Sequence, residues 1–235
     1  MKSLSAKPEF DAFAQDYDRA LEQGLSLSGE SKTFFAEGRM HWLAKRLAQL
    51  EFDPETALDF GCGTGTATPY FFDILGVDSL VGIDVSAESI AVAANSYGGF
   101  RSRFCLTSEF NEQETIDLAF TNGVFHHIPP ANRAEALRQI FAALRPGGLF
   151  AFWENNPWNP GTRYIMSRIP FDRDAVMLWP TAARRLVADA GFNVLFTDFA
   201  FVFPGFLARL RRLEPLLCKV ALGGQYLVLA RKPDR

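Results

Sequence analysis

The sequence predicts an α/β protein built on a doubly wound, mostly parallel sheet. From residue 56 onward short apolar runs alternate with segments of helical periodicity, the pattern of strand–helix–strand units. A glycine-rich stretch, GCGTG at 61–65, follows the first apolar run directly. The length of 235 residues suits one domain with a core large enough to need no staples.

Two helices are expected ahead of the sheet. Residues 9–23 (EFDAFAQDYDRALEQ) place Phe10, Phe13, Ala14, Tyr17 and Leu21 at helical spacing, and residues 31–50 repeat that pattern behind Ser31 as N-cap. TALDF then reads as the first strand, and GTATPYFFDIL opens a helix. SLVGID is the second strand, followed by a helix that Ser86 opens. FRSRFCLT and IDLAFTN are the third and fourth strands. ANRAEALRQIFAAL is an amphipathic helix ended by RPGG, and LFAFWE is the fifth strand. Beyond a turn-rich stretch come a helix near 180–190, a sixth strand in FNVLFTDFAFVF, a helical insertion at 204–224 and a final strand in GQYLVLARK. Right-handed crossovers wind such units onto both faces of one sheet. No linker divides the chain, so residues 1–235 read as a single domain: a helical cap over 1–50, a ligand-binding core over 51–155 and a C-terminal part over 156–235.

The bulk composition excludes several classes. A net charge of −3 offers no basic face for nucleic acid. Cys62, Cys105 and Cys218 form no CxxC pair, which points to a reducing compartment. The first residues lack a signal-peptide core, and no apolar run is long enough to span a membrane, so a cytoplasmic location is expected. The 23 phenylalanines fit an aromatic-rich core.

In a doubly wound sheet the ligand lies over the carboxyl ends of the strands, where GCGTG falls. Gly61 and Gly63 are expected to permit a tight turn and close backbone approach, and Gly65 to let the following helix pack near the strand. The GK[ST] ending of a phosphate-binding loop is missing, and Thr66 stands where a nicotinamide-dependent oxidoreductase needs its third glycine. Asp84 ends the second strand 19 residues after Gly65, where a carboxylate can accept both hydroxyls of a ribose. The same acid could instead form an Asx turn ahead of the next helix.

LDFGCGTG, then VGIDVS, DLAFTNGVFHHI and LRPGGLF together resemble the class I S-adenosylmethionine-dependent methyltransferases, in the small-molecule branch that carries a histidine pair after strand four. The resemblance runs motif by motif over residues 10–155 and in outline beyond. It implies a Rossmann-like sheet of seven strands whose last strand, 225–231, lies antiparallel between strands five and six. It implies S-adenosyl-L-methionine as cofactor and a small-molecule methyl acceptor, with O- or N-methylation as the reaction. Asp59 would open the first motif, with Gly61, Cys62, Gly63 and Gly65 along the amino-acid part of the cofactor. Asp84 would hold the ribose, Val85 would flank the adenine, and Ser108 or Glu109 would meet the adenine amine. Asn122 and Gly123 would face the methionine moiety.

A base is needed only where the acceptor must lose a proton, and an imidazole is suited to that near neutral pH. The resemblance aligns His127 with a catalytic histidine and Tyr17 with its tyrosine partner; packing without proton transfer is the alternative for His127. His126, Trp158 and Arg163 are expected at the acceptor side. Adjacent histidines without a third ligand make no metal site. In the insertion, Phe206, Leu207, Leu210, Leu213 and Leu217 could share a face, with Arg209, Arg211, Arg212 and Lys219 outside it. That face is expected to cover the sheet edge, a membrane-surface role being the rival account. A cofactor-binding module without turnover and a nicotinamide-dependent oxidoreductase are the alternatives to methyl transfer.

Overall fold

The computed structural model describes residues 29–169 and 175–234. Tyr17 and the helix expected over 9–23 lie outside them. Helix α1 (Lys32–Gln49) starts at Ser31, whose Oγ accepts the Phe34 amide at 3.1 Å. Then follow β1 (Thr56–Phe60), α2 (Thr68–Asp73), β2 (Ser79–Asp84), α3 (Ala87–Tyr97), β3 (Ser102–Leu106) and β4 (Ile116–Asn122). The second half comprises α4 (Arg133–Ala143), β5 (Leu144–Asn155), α5 (Pro160–Met166), α6 (Pro180–Asp189), β6 (Asn193–Ala200), α7 (Glu214–Leu217) and β7 (Gln225–Arg231). A 3-10 helix at Gly205–Leu213 precedes α7.

The seven strands form one sheet in the order β3-β2-β1-β4-β5-β7-β6. Pairing is parallel from β3 through β5, and β7 runs antiparallel to both of its neighbours. The reversal of strand order between β1 and β4 opens a crevice above their carboxyl ends. One expectation fails at RPGG. These residues do not merely end α4, because β5 already begins at Leu144 opposite Ile116 and regains register at Leu149 opposite Leu118.

Successive strand residues point to opposite faces and build two cores. Leu58, Ile83 and Phe150 pack with Leu137 and Ile140 of α4 and with Val187 of α6. Ala57, Leu118 and Trp153 pack with Met40, Leu43 and Leu47 of α1 and with Phe71 of α2. A buried carboxylate locks α1 to the sheet edge. Asp198 on β6 accepts from Trp42 Nε1 at 3.0 Å and Arg46 Nε at 2.6 Å, and pairs with Lys219 Nζ at 2.6 Å. Burial alone would raise this carboxyl, but the hydrogen bonds from Arg46, Lys219 and Trp42 outweigh it and hold the group below its ordinary value.

Candidate active site

A cavity of about 650 Å³ lies over the ends of β1, β2 and β4, with α1 along one side. Its floor is the glycine loop. Gly61, Gly63 and Gly65 have φ of +76°, +53° and +76°, a region that side chains with a Cβ rarely enter. The Gly61 and Cys62 amides donate to the Ile83 carbonyl at 2.8 and 3.0 Å, which ties the loop down onto β2.

The three glycines have different reasons to be glycine. A Cβ at Gly61 would lie 2.4 Å from Val124 Cγ2, so the close approach there is to the protein itself. A Cβ at Gly63 would meet nothing within 4 Å, and that residue lines the cavity. Gly65 packs on α3, where a Cβ would come 3.0 Å from Ala93 Cβ and 3.1 Å from Tyr97 Cδ2. Its neighbour is therefore the helix after β2 rather than the helix that follows the loop, and it does not line the cavity.

Asp84 does two things at once. Its Oδ2 accepts the Gly63 amide at 2.9 Å and its Oδ1 accepts the Ser86 amide at 2.9 Å, an Asx turn that leads into the α3 cap. Asp84 also lines the cavity, so the carboxylate that fastens the loop faces the ligand space. Val85 beside it is 58% exposed and adds an apolar wall. Asp59, also on the cavity wall, is buried; burial first and then the Asp84 charge push its carboxyl up to about 7, against the pull of Arg39. Burial likewise drives the Cys62 thiol far above its ordinary value, so this residue lines the site as an unreactive thiol.

Beyond β3 the lining residue is Thr107. Ser108 and Glu109 are exposed in the turn, where Glu109 Oε2 accepts the Leu106 amide at 3.2 Å, and neither reaches the cavity. At the end of β4, Asn122 and Gly123 do line it, and Asn122 Oδ1 is buried without a hydrogen-bond partner. His127 lines it as well. His126 does not. It is turned inward with Nδ1 2.6 Å from Glu154 Oε2, while Glu154 Oε1 accepts the Phe125 and His126 amides at 2.9 and 3.3 Å. The two imidazoles lie 4.1 Å apart, one in the core and one at the cavity.

The expected acceptor residues on the loop after β5 are also elsewhere. Trp158 packs against Trp179 and Phe199 with ring centroids 6.0 and 6.1 Å away, and Arg163 is exposed on α5. The amides of that loop are spent internally: Asn156 Nδ2 donates to Gly223 O at 2.8 Å, and Asn159 Oδ1 accepts the Thr162 amide at 3.0 Å. The sequence predicts the α1 helix but singles out none of its residues for the site. Lys32, Thr33, Ala36 and Arg39 line the cavity, and the spacing of the last three by three residues puts them on one helix face. Among the described residues no three His, Cys, Asp or Glu side chains gather to hold a metal ion.

The cavity brings together a carboxylate at Asp84, an unsatisfied amide oxygen at Asn122, a cation at Arg39 and an apolar wall at Val85. A methyltransferase-domain profile matches residues 58–150, the stretch that builds this floor. Over that stretch the chain resembles the class I methyltransferases. The chain is 26% identical over 137 residues to a trans-aconitate 2-methyltransferase from Azoarcus sp. (strain BH72), a match that covers 58% of the chain and 53% of that enzyme. The chain thus spans about half the length of that relative. Among solved structures, a SAM-dependent methyltransferase from Thermotoga maritima superposes with a TM-score of 0.65 at 16% identity, covering 95% of this chain and 97% of that one. Human N-acetylserotonin methyltransferase in complex with SAM gives 0.64 at 16% identity over 95% of this chain and 59% of that one. At such identities these structures establish the methyltransferase fold.

Proposed function

We propose that this methyltransferase binds S-adenosylmethionine and methylates a small organic acceptor at oxygen or nitrogen. The observation that carries the reading is the convergence of Asp84, Gly63 and Asn122 on one cavity, with the glycine loop tied to the acid by a hydrogen bond. The names of the trans-aconitate methyltransferase and of the SAM-bound human enzyme support it. When bound, S-adenosylmethionine supplies a methyl group on a sulfonium, already activated for attack.

The chain's own residues then have separable tasks. Asp84 accepts the ribose hydroxyls, and Val85 flanks the base. Asn122 Oδ1 accepts from the α-ammonium, and Arg39 pairs with the carboxylate of the amino-acid tail. His127, at the cavity wall, takes the proton of an acceptor hydroxyl, with Tyr17 as its proposed partner. Holding the acceptor in line and dry is the larger contribution, up to about 7–11 kcal/mol from positioning alone.

Titration calorimetry tests the reading. S-adenosylmethionine should bind and NADH should not, and S-adenosylhomocysteine should form with at least one member of a panel of carboxylates, phenols and amines. No heat with S-adenosylmethionine would overturn the reading. Binding without product from any acceptor would leave a cofactor-binding module in its place.

A further inference from the structure

We infer that the 204–222 segment docks this protein onto the surface of an anionic phospholipid bilayer. The segment is built inside out. Its one acid, Glu214, is buried and accepts the amides of Phe201, Val202 and Phe203 at 3.2, 3.0 and 3.0 Å. Cys218 is buried too, and its carbonyl accepts the Phe199 amide at 2.7 Å. Arg211 turns inward to pair with Glu30 and to stack over Phe34, and Lys219 reaches back to Asp198. Polar groups therefore anchor the segment.

The apolar residues point the other way. Phe206 is 85% exposed and Leu216 80%, and Leu207, Leu210, Leu213, Val220 and Leu222 are exposed as well. No residue of the 3-10 helix is buried, so the segment does not lay its apolar face on the sheet edge as its sequence suggested. A 3-10 helix repeats every three residues, which stacks Leu210 and Leu213 on one edge and Arg209 and Arg212 on an adjacent one. The exposed surface of this segment is thus apolar and cationic, with its carboxylate hidden. A water-facing loop has no use for that combination, whereas an interfacial element needs apolar side chains for the acyl boundary and cations for anionic headgroups. Among the described residues no helix is long and apolar enough to cross a membrane, so the contact would be peripheral. The cavity lies close by, since the first turn of α1 carries both Phe34 under Arg211 and the cavity-lining Lys32 and Thr33.

Sedimentation of the full chain with phosphatidylcholine vesicles, with and without phosphatidylglycerol, tests the inference. The chain should pellet with the phosphatidylglycerol vesicles only, and added salt should release it. Arg209→Gln with Arg212→Gln should weaken partitioning about tenfold or more. Phe206→Ser with Leu216→Ser should abolish it, with an unchanged melting temperature because both side chains already face water. Hydroxyl-radical labelling of Phe206 and Leu216 should be strong in the lipid-free chain and fall on adding these vesicles. The inference is overturned if neither vesicle binds or if both bind equally. It is also overturned if the two side chains are already protected without lipid, because residues 1–28 or a second copy of the chain would then cover them.

Discussion

The Asp84 carboxylate holds the Gly63 amide at 2.9 Å with one oxygen and the Ser86 amide at 2.9 Å with the other. The acid proposed to hold the ribose is therefore also the fastener of the glycine loop and of the turn into α3. A structural role and a proposed ligand contact thus fall on one side chain.

Asp84→Ala should consequently weaken two things that a pure ligand residue would not couple. The ligand-free protein should lose about 2–4 kcal/mol of stability, seen as a drop of roughly 5–10 °C in calorimetric melting temperature. Affinity for S-adenosylmethionine should fall about a hundredfold or more in the same protein. An unchanged melting temperature would mean that these two hydrogen bonds contribute nothing to the fold.

The loop glycines should separate in the same way. Gly61→Ala puts a methyl 2.4 Å from Val124 at φ +76°, and it should cost at least about 2–3 kcal/mol of stability. Gly63→Ala meets open space at φ +53°, so only the backbone penalty of about 1–2 kcal/mol applies. That variant should fold yet bind ligand poorly, because its methyl occupies the cavity. Chemical denaturation paired with calorimetric titration distinguishes the two, and equal affinities in Gly63→Ala and wild type would remove Gly63 from the binding floor.

The parts of this arrangement that follow a period or a spacing were legible in the sequence. Strands β1, β2 and β4, the caps at Ser31 and Ser86, and the placement of Asp84 after the glycine loop all rest on local rules that the tertiary structure leaves intact. What was hidden has no period. His126 and His127 are neighbours in an irregular turn, where only the buried Glu154, 28 residues away, decides which ring turns inward. The cavity face of α1 was unreadable because Arg39 sits among the other charges of that amphipathic helix. The 204–222 segment misled for a geometric reason. Phe206, Leu207, Leu210, Leu213 and Leu217 read as one face of an α-helix, but the backbone breaks at Leu207 and is 3-10 up to Leu213, and the segment's buried contacts come from Glu214 and Cys218 instead.

The two histidines predict opposite phenotypes. His127→Ala should lower turnover of a hydroxyl acceptor about 100-fold or more while cofactor affinity stays within about twofold, since a general base contributes that much to rate and nothing to ground-state binding. Glu154→Ala should instead remove about 3 kcal/mol of stability, because it strands His126 and two buried amides without their acceptor. Turnover measured beside urea denaturation would show the contrast, and full activity in His127→Ala would strip that residue of the base role.

Two buried aspartates should shape the pH dependence of stability in opposite directions. Asp59 is raised in the folded protein, from 3.8 to about 7. Its protonated form is the one that folding favours, so no penalty exists below pH 3.8, and one grows as pH rises from there and is complete above about 7. Asp59→Asn should therefore stabilise the ligand-free chain at pH 8, by about 4 kcal/mol at most, and change little at acid pH. Asp198 is depressed in the folded protein, and its contribution is present above its ordinary 3.8 and disappears as pH falls through the lower folded value. Asp198→Asn should cost about 2–3 kcal/mol at neutral pH and converge on wild type in acid. Urea denaturation of the three proteins from pH 3 to 9 would resolve both curves, and a neutral-pH gain in Asp198→Asn or a loss in Asp59→Asn would show that the signs are reversed.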